Sequence, residues 1–99
     1  MRPVRSLDVN HAAEVLLAVP AEQRAGLAEL LLIAAEKADL ARCGHLTPSV
    51  CFGDGSLGAA AALYRRAARR QVDDGEYSDC QLLVFEALLR WRSVRIACN

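Results

Sequence analysis

Residues 21–43 read AEQRAGLAELLLIAAEKADLARC, and this stretch decides the fold class. Leu27, Leu30, Leu31, Ala34, Ala38 and Ala41 recur at helical spacing and predict one long helix over the whole stretch. Leu32, Ile33 and Leu40 widen the apolar stripe past one face. A helix apolar over so wide an arc packs on more than one side. Two readings follow. It is the central helix of a small bundle, or it also meets a second subunit, with Leu27, Leu30, Leu31 and Ala34 at the oligomer or partner contact. The stripe partly satisfies a heptad but breaks after about three repeats, which allows a short seam and excludes a long rod.

Towards the N-terminus, Pro20 ends a first helix of about Asp8 to Ala18, marked by Leu7, Ala12, Val15, Leu16 and Val19. Asp8 or Ser6 is its N-cap candidate. Pro20 also suits the first turn of the long helix, with Glu22 in the acidic-favoured turn. Towards the C-terminus, Gly44 is a good helix stop. Residues 45–56 form a loop punctuated by Pro48, Gly53 and Gly55, with Leu46, Val50 and Phe52 expected to pin it to the core. Ser56 is the expected N-cap of a third helix running to about Val72 along Leu57, Ala60, Ala61, Tyr64, Ala67 and Ala68. Asp73-Asp74-Gly75 is a turn. A fourth helix starts near Glu76 to Ser78 and reaches about Ile96, with Leu82, Phe85, Leu88, Leu89 and Trp91 as its packing bulk. The expected fold is all-α: a single domain over residues 1–99, built as a compact bundle of about four helices with one long central helix.

Composition agrees. Of 99 residues 54% are hydrophobic and 5% aromatic, and the richness in Ala and Leu favours helix over sheet. The N-terminus lacks an apolar segment of the signal-peptide kind. The longest apolar run, Leu30 to Ala35, is far short of the ~20 residues of a membrane span. A cytoplasmic protein with reduced cysteines and no membrane partner is expected.

The formal net charge is zero, so global charge gives no reason to expect nucleic acid. Its distribution says more. Residues 1–54 carry five basic and seven acidic side chains, and residues 55–99 carry seven basic and five acidic. On the expected third helix Arg65, Arg66, Arg69 and Arg70 would share one face, because 65/69 and 66/70 are one turn apart. Phosphates or a partner's carboxylates would neutralise such a face. The bland reading is a solvated face eased by Asp73, Asp74 and Glu76. With base stacking not indicated, any DNA contact would be to the backbone, non-specific and salt-sensitive.

Other motifs carry little chemistry. Gly53-Asp54-Gly55-Ser56-Leu57-Gly58 lacks the Gly-Lys-Ser/Thr ending of a P-loop and reads as a turn feeding a capped helix. Cys43, His45 and Cys51 lie close in sequence and would suit zinc, but their spacing matches no knuckle or ribbon and no Cys-x-x-Cys occurs. No metal, cofactor or catalytic residue is expected, and the chain is read as a non-enzyme.

Two stretches, Phe52-Gly53-Asp54-Gly55-Ser56-Leu57-Gly58-Ala59-Ala60-Ala61 and Leu82-Leu83-Val84-Phe85-Glu86-Ala87-Leu88-Leu89, carry a resemblance, together with the Met1-Arg2-Pro3-Val4 opening and the Val19-Pro20-Ala21 junction. They resemble a family of roughly hundred-residue alphaproteobacterial proteins encoded beside a large terminase in gene transfer agent clusters. That family often has Trp at the position of Phe52 and Met at that of Gly58. The resemblance implies a small terminase subunit. Such a subunit would assemble as a homo-oligomer, bind double-stranded DNA weakly, and recruit or regulate the large terminase. Arg65, Arg66, Arg69 and Arg70 would touch phosphate. The alternative is a small helical protein–protein adaptor without DNA binding, and a metal-dependent regulator using Cys43, His45 and Cys51 is a further one.

Overall fold

The first helix, α1 (Ser6–Leu17), buries Val9, Ala12, Ala13, Val15, Leu16 and Leu17. Its paired alanines let neighbouring helices approach closely. The computed structural model describes residues 1–43 and 55–98, with side chains described for 1–40 and 55–93. The other elements are α2 (Ala21–Cys43), α3 (Leu57–Ala61) and α4 (Gly75–Cys98), and the described residues contain no strand. The fold is all-α, as the periodicities imply. Helix α2 touches each of the other three, as does α1, while α3 and α4 make no contact among the described residues. Helix α4, at 24 residues, is as long as α2, at 23, so the bundle has two long helices rather than one.

Local chemistry sets the helix starts. The backbone N–H of Arg5 donates to the Asp8 carboxylate at 2.9 Å, so Asp8 closes the first turn of α1 from within rather than from the N-cap position. The Pro20 carbonyl accepts the Gln23 N–H at 3.0 Å at the start of α2. Ser56 is the N-cap of α3, its hydroxyl accepting the Ala59 N–H at 3.1 Å. The Asp74 carboxylate accepts the Tyr77 N–H at 2.9 Å and fixes the start of α4. Just before α3, Gly55 has a φ of +95°, and a Cβ there would lie 2.8 Å from the Asp39 backbone. Glycine is required on both counts.

The end of α1 is held from a distance. Arg24 on α2 donates from Nε to the carbonyls of Leu16 (2.8 Å) and Val19 (3.1 Å), satisfying acceptors that a helix C-terminus leaves open. Its Nη2 reaches Glu76 at the start of α4 at 2.9 Å. One guanidinium thus ties three helices. The Met1 ammonium pairs with Glu36 and, at 3.0 Å, with Asp39, both on α2.

The core joins the α1 residues to Ala28, Leu31 and Leu32 of α2, Leu57 and Ala61 of α3, and Tyr77, Cys80, Val84 and Ala87 of α4. The α4 set corrects the sequence expectation. Leu82, Phe85 and Leu89 are exposed, whereas Leu88 and Trp91 are partly buried against the core. Both faces of α4 are apolar, so periodicity alone does not choose between them. The buried face, 77/80/84/87/91, is free of charge, while Glu86 lies on the other. Gln81 donates to Asn10 at 3.0 Å across the α1–α4 contact.

Candidate interaction surfaces

The segment between α3 and α4 differs most from the periodicity. The third helix ends at Ala61, not near Val72. Two further turns, Leu63 N–H to Ala60 (3.3 Å) and Tyr64 N–H to Ala61 (3.0 Å), fade out, and residues 65–71 have no regular structure. Leu63 and Tyr64 are exposed, so Tyr64 is not on a buried stripe. Arg65, Arg66, Arg69 and Arg70 consequently do not form one helical face.

Tertiary bonds outcompete local propensity here. The last turn of α1 tightens, with Ala18 donating to Val15 and Val19 to Leu16, both at 3.2 Å, and the carbonyl of Glu14 accepts the Ala67 N–H at 3.0 Å. The Glu14 side chain is the only buried acidic group among the described residues, 6% exposed, and takes the Arg69 Nε–H at 2.7 Å. The Tyr77 hydroxyl lies in the same cluster, buried near Arg69, with no hydrogen bond of ordinary geometry among the described residues. Burial first, then the Glu14 charge, pushes the Tyr77 phenol upward, and the Glu14 hydrogen bond raises Arg69. Residues 62–74 therefore form a strap clasped to α1.

The four arginines divide into two kinds. Arg69 is taken by Glu14 and Arg70 by Glu76 (3.0 Å) and Asp74 (3.4 Å). Glu76 is held below its ordinary pKa by its hydrogen bonds to Arg24 and then Arg70. Asp74 is held down chiefly by the Tyr77 N–H. Arg65 and Arg66, by contrast, are exposed and make no ion pair among the described residues. They stand beside exposed Tyr64, an aromatic neighbour that a continuous helix would turn towards the core.

The α2 residues read as a contact surface also divide. Leu31 is fully buried, Leu27 packs partly buried against the core, and Ala34 is half-buried; Leu30 is 56% exposed. Successive helical residues diverge by about 100°, so Leu30 and Leu31 cannot share one partner. Leu30, Ile33 and Leu40 are the outward stripe of α2, and Leu82, Phe85 and Leu89 that of α4. Between these helices lies an apolar groove lined by Leu32, Ile33, Ala87 and Trp91 and edged by Glu29 and Arg90. Arg90 Nη2 bridges to Glu29 at 3.1 Å. Both partners are exposed, so the bridge contributes about 0–1 kcal/mol. Periodicity marks Ile33 and Leu40 as widening the α2 stripe, but it assigns Leu82, Phe85 and Leu89 to packing bulk rather than to a surface.

The described residues contain no group of three or more potential metal ligands, and Cys80 is a buried free thiol raised in pKa by that burial. His45 and Cys51, and the expected pins Leu46, Val50 and Phe52, lie outside the described residues, as does the side chain of Cys43. No described helix is long and apolar enough to cross a membrane.

No curated protein and no solved structure matches the chain significantly. Residues 2–88, from before α1 into α4, fit a family model over most of the chain, and the chain belongs to that family, described as Domain of unknown function (DUF7742).

Proposed function

We propose that the chain is a non-catalytic, small terminase-like packaging subunit, working in the cytoplasm. It assembles with copies of itself and recruits or regulates a large terminase. It touches double-stranded DNA weakly and non-specifically. The observation that carries the DNA contact is the exposed pair Arg65 and Arg66, unpaired among the described residues although the chain as a whole is neutral. Arginine is the better fork for phosphate, and two free guanidinium groups suit backbone contact rather than base reading. Assembly is supported by the outward stripes of α2 and α4, since apolar residues grouped on a small monomer's surface mark contact sites. The resemblance to proteins encoded beside a large terminase supplies the biological setting.

The test is retention of a fluorescent duplex at low salt, with light scattering on the same sample. Wild type is expected to retain the duplex and to scatter as an oligomer, and Arg65→Glu/Arg66→Glu to lose the duplex while keeping its helical content. A wild type that leaves the duplex free overturns the DNA contact.

A second reading, a protein-binding adaptor without DNA contact, draws on the apolar α2–α4 groove. An oligomer or partner complex that forms normally while DNA is ignored would favour it.

A further inference from the structure

The strap is held in a conformation its own sequence does not favour. Residues 62–72, ALYRRAARRQV, contain no glycine and no proline. Most are good helix formers, and the Leu57–Ala68 spacing is that of a helix. Nothing at the end of α3 stops the helix. The C-cap is Ala62, in right-handed helical conformation (φ −63°, ψ −17°), with no left-handed residue after it. The bonds that divert the chain come from elsewhere: Glu14 through both its carbonyl and its carboxylate, and Glu76 and Asp74 through Arg70. Those carboxylates occupy two of the four arginines.

We propose that residues 62–72 are a two-state element, with the clasped strap as the resting state. In the alternative state the segment winds on from α3 as helix and presents Arg65, Arg66, Arg69 and Arg70 together to the phosphates of a polyanion. The choice of DNA as that polyanion rests on the packaging reading above.

The balance has a definite sign. Continued as helix, the segment places Arg65 over Arg69 and Arg66 over Arg70, like-charge pairs one turn apart that destabilise the helix. The strap relieves that repulsion by giving Arg69 and Arg70 to carboxylates. A row of phosphates removes the repulsion and competes for the same guanidinium groups, so binding pulls the element towards helix. Unwinding the clasp frees Glu14 to solvent instead of leaving it buried and unpaired. The start of α4 is pinned separately, because Asp74 caps it through the Tyr77 N–H. The element is therefore bounded by Ser56 at one end and Asp74 at the other. A ligand shifts such an equilibrium only by its differential affinity for the two states, and here the helical state offers four phosphate contacts against two.

Backbone carbon chemical shifts over residues 62–72 report the state directly. In ligand-free Glu14→Gln/Arg65→Gln/Arg70→Gln, which loosens the clasp at Glu14 and Arg70 and removes one member of each like-charge pair, helical shifts are expected to appear. Persistence of non-helical shifts in that variant, with the rest of the fold intact, overturns the two-state element. In wild type, a saturating random-sequence duplex at low salt is expected to convert the same residues to helical shifts. A duplex that binds and leaves them non-helical overturns its role as the trigger. A duplex that does not bind overturns the packaging reading, and the ligand-free variant then decides the element by itself.

Discussion

Arg69 donates its Nε–H to Glu14 at 2.7 Å across 55 positions of chain, and Glu14 has almost no access to water. A buried carboxylate is costly unless paired. The contact therefore ties the strap to the end of α1 and explains why one arginine in the cluster is not free for a ligand.

Arg69→Ala is expected to lower the melting temperature, because it leaves Glu14 buried without its cation. Arg65→Ala and Arg66→Ala, at exposed positions without ion pairs, should stay within about 0.5 kcal/mol of wild type. Thermal denaturation of the three single variants checks the ranking; equal losses at all three would mean that the Arg69 contact does not stabilise the fold. For the same reason the DNA test is made with Arg65 and Arg66 alone, since Arg69→Glu would set a second carboxylate against Glu14.

Adjacent residues on α2 should behave oppositely. Leu31→Ala, at a fully buried position, is expected to cost about 2–5 kcal/mol. Leu30→Ala should change the stability of the monomer by no more than about 0.5 kcal/mol and instead weaken assembly. Chemical denaturation at two protein concentrations separates the effects. A large, concentration-independent loss for Leu30→Ala would contradict its outward placement.

Much of the architecture is legible in the sequence: Ala12, Val15 and Leu16 of the α1 stripe, Leu31 and Ala38 of the α2 stripe, and the Ser56 cap agree with the packing, whereas Leu7 and Leu30 are exposed and the turn before α4 runs from Gln71 to Asp74, with Gly75 already helical. Two further features are not legible. The α4 sequence offers two apolar faces, and apolar periodicity alone does not choose the charge-free one with Tyr77, Cys80, Val84 and Ala87. The end of α3 carries no local stop, because the diverting partners, the carbonyl and carboxylate of Glu14, lie on α1. The candidate site changes accordingly: Arg65 and Arg66 remain as the free pair, while Arg69 and Arg70 are clasped. The clustering of seven basic against five acidic residues in the C-terminal half points to the region, not to this division.

Acid should weaken the fold through the Arg24–Glu76–Arg70 group. Glu76 and Asp74 are held below their ordinary values of 4.5 and 3.8 in the folded chain. Their contribution is present above those values and is lost as pH falls through the lower folded ones. Denaturation midpoints measured from pH ~6 down to ~3 should decline, and Glu76→Gln should flatten part of that decline. An unchanged profile in Glu76→Gln would remove Glu76 from the account.

Gly55→Ala is expected to destabilise by more than about 1 kcal/mol, since alanine is strained at a φ of +95° and its Cβ would meet the Asp39 backbone. Gly26→Ala, with open space around its Cβ, should stabilise α2 by up to about 1 kcal/mol. Calorimetry on both variants checks the opposite signs.

The most direct test of the central claim, that free arginines on the strap contact phosphate, is the salt dependence of duplex binding by fluorescence anisotropy. For wild type, the logarithm of affinity should fall linearly with the logarithm of salt concentration. Arg65→Glu/Arg66→Glu should bind far more weakly, and Arg65→Gln/Arg66→Gln should flatten the slope by about two units, roughly 0.9 for each phosphate no longer neutralised. A slope that the glutamine variant leaves unchanged, or affinity that does not respond to salt, would contradict the claim.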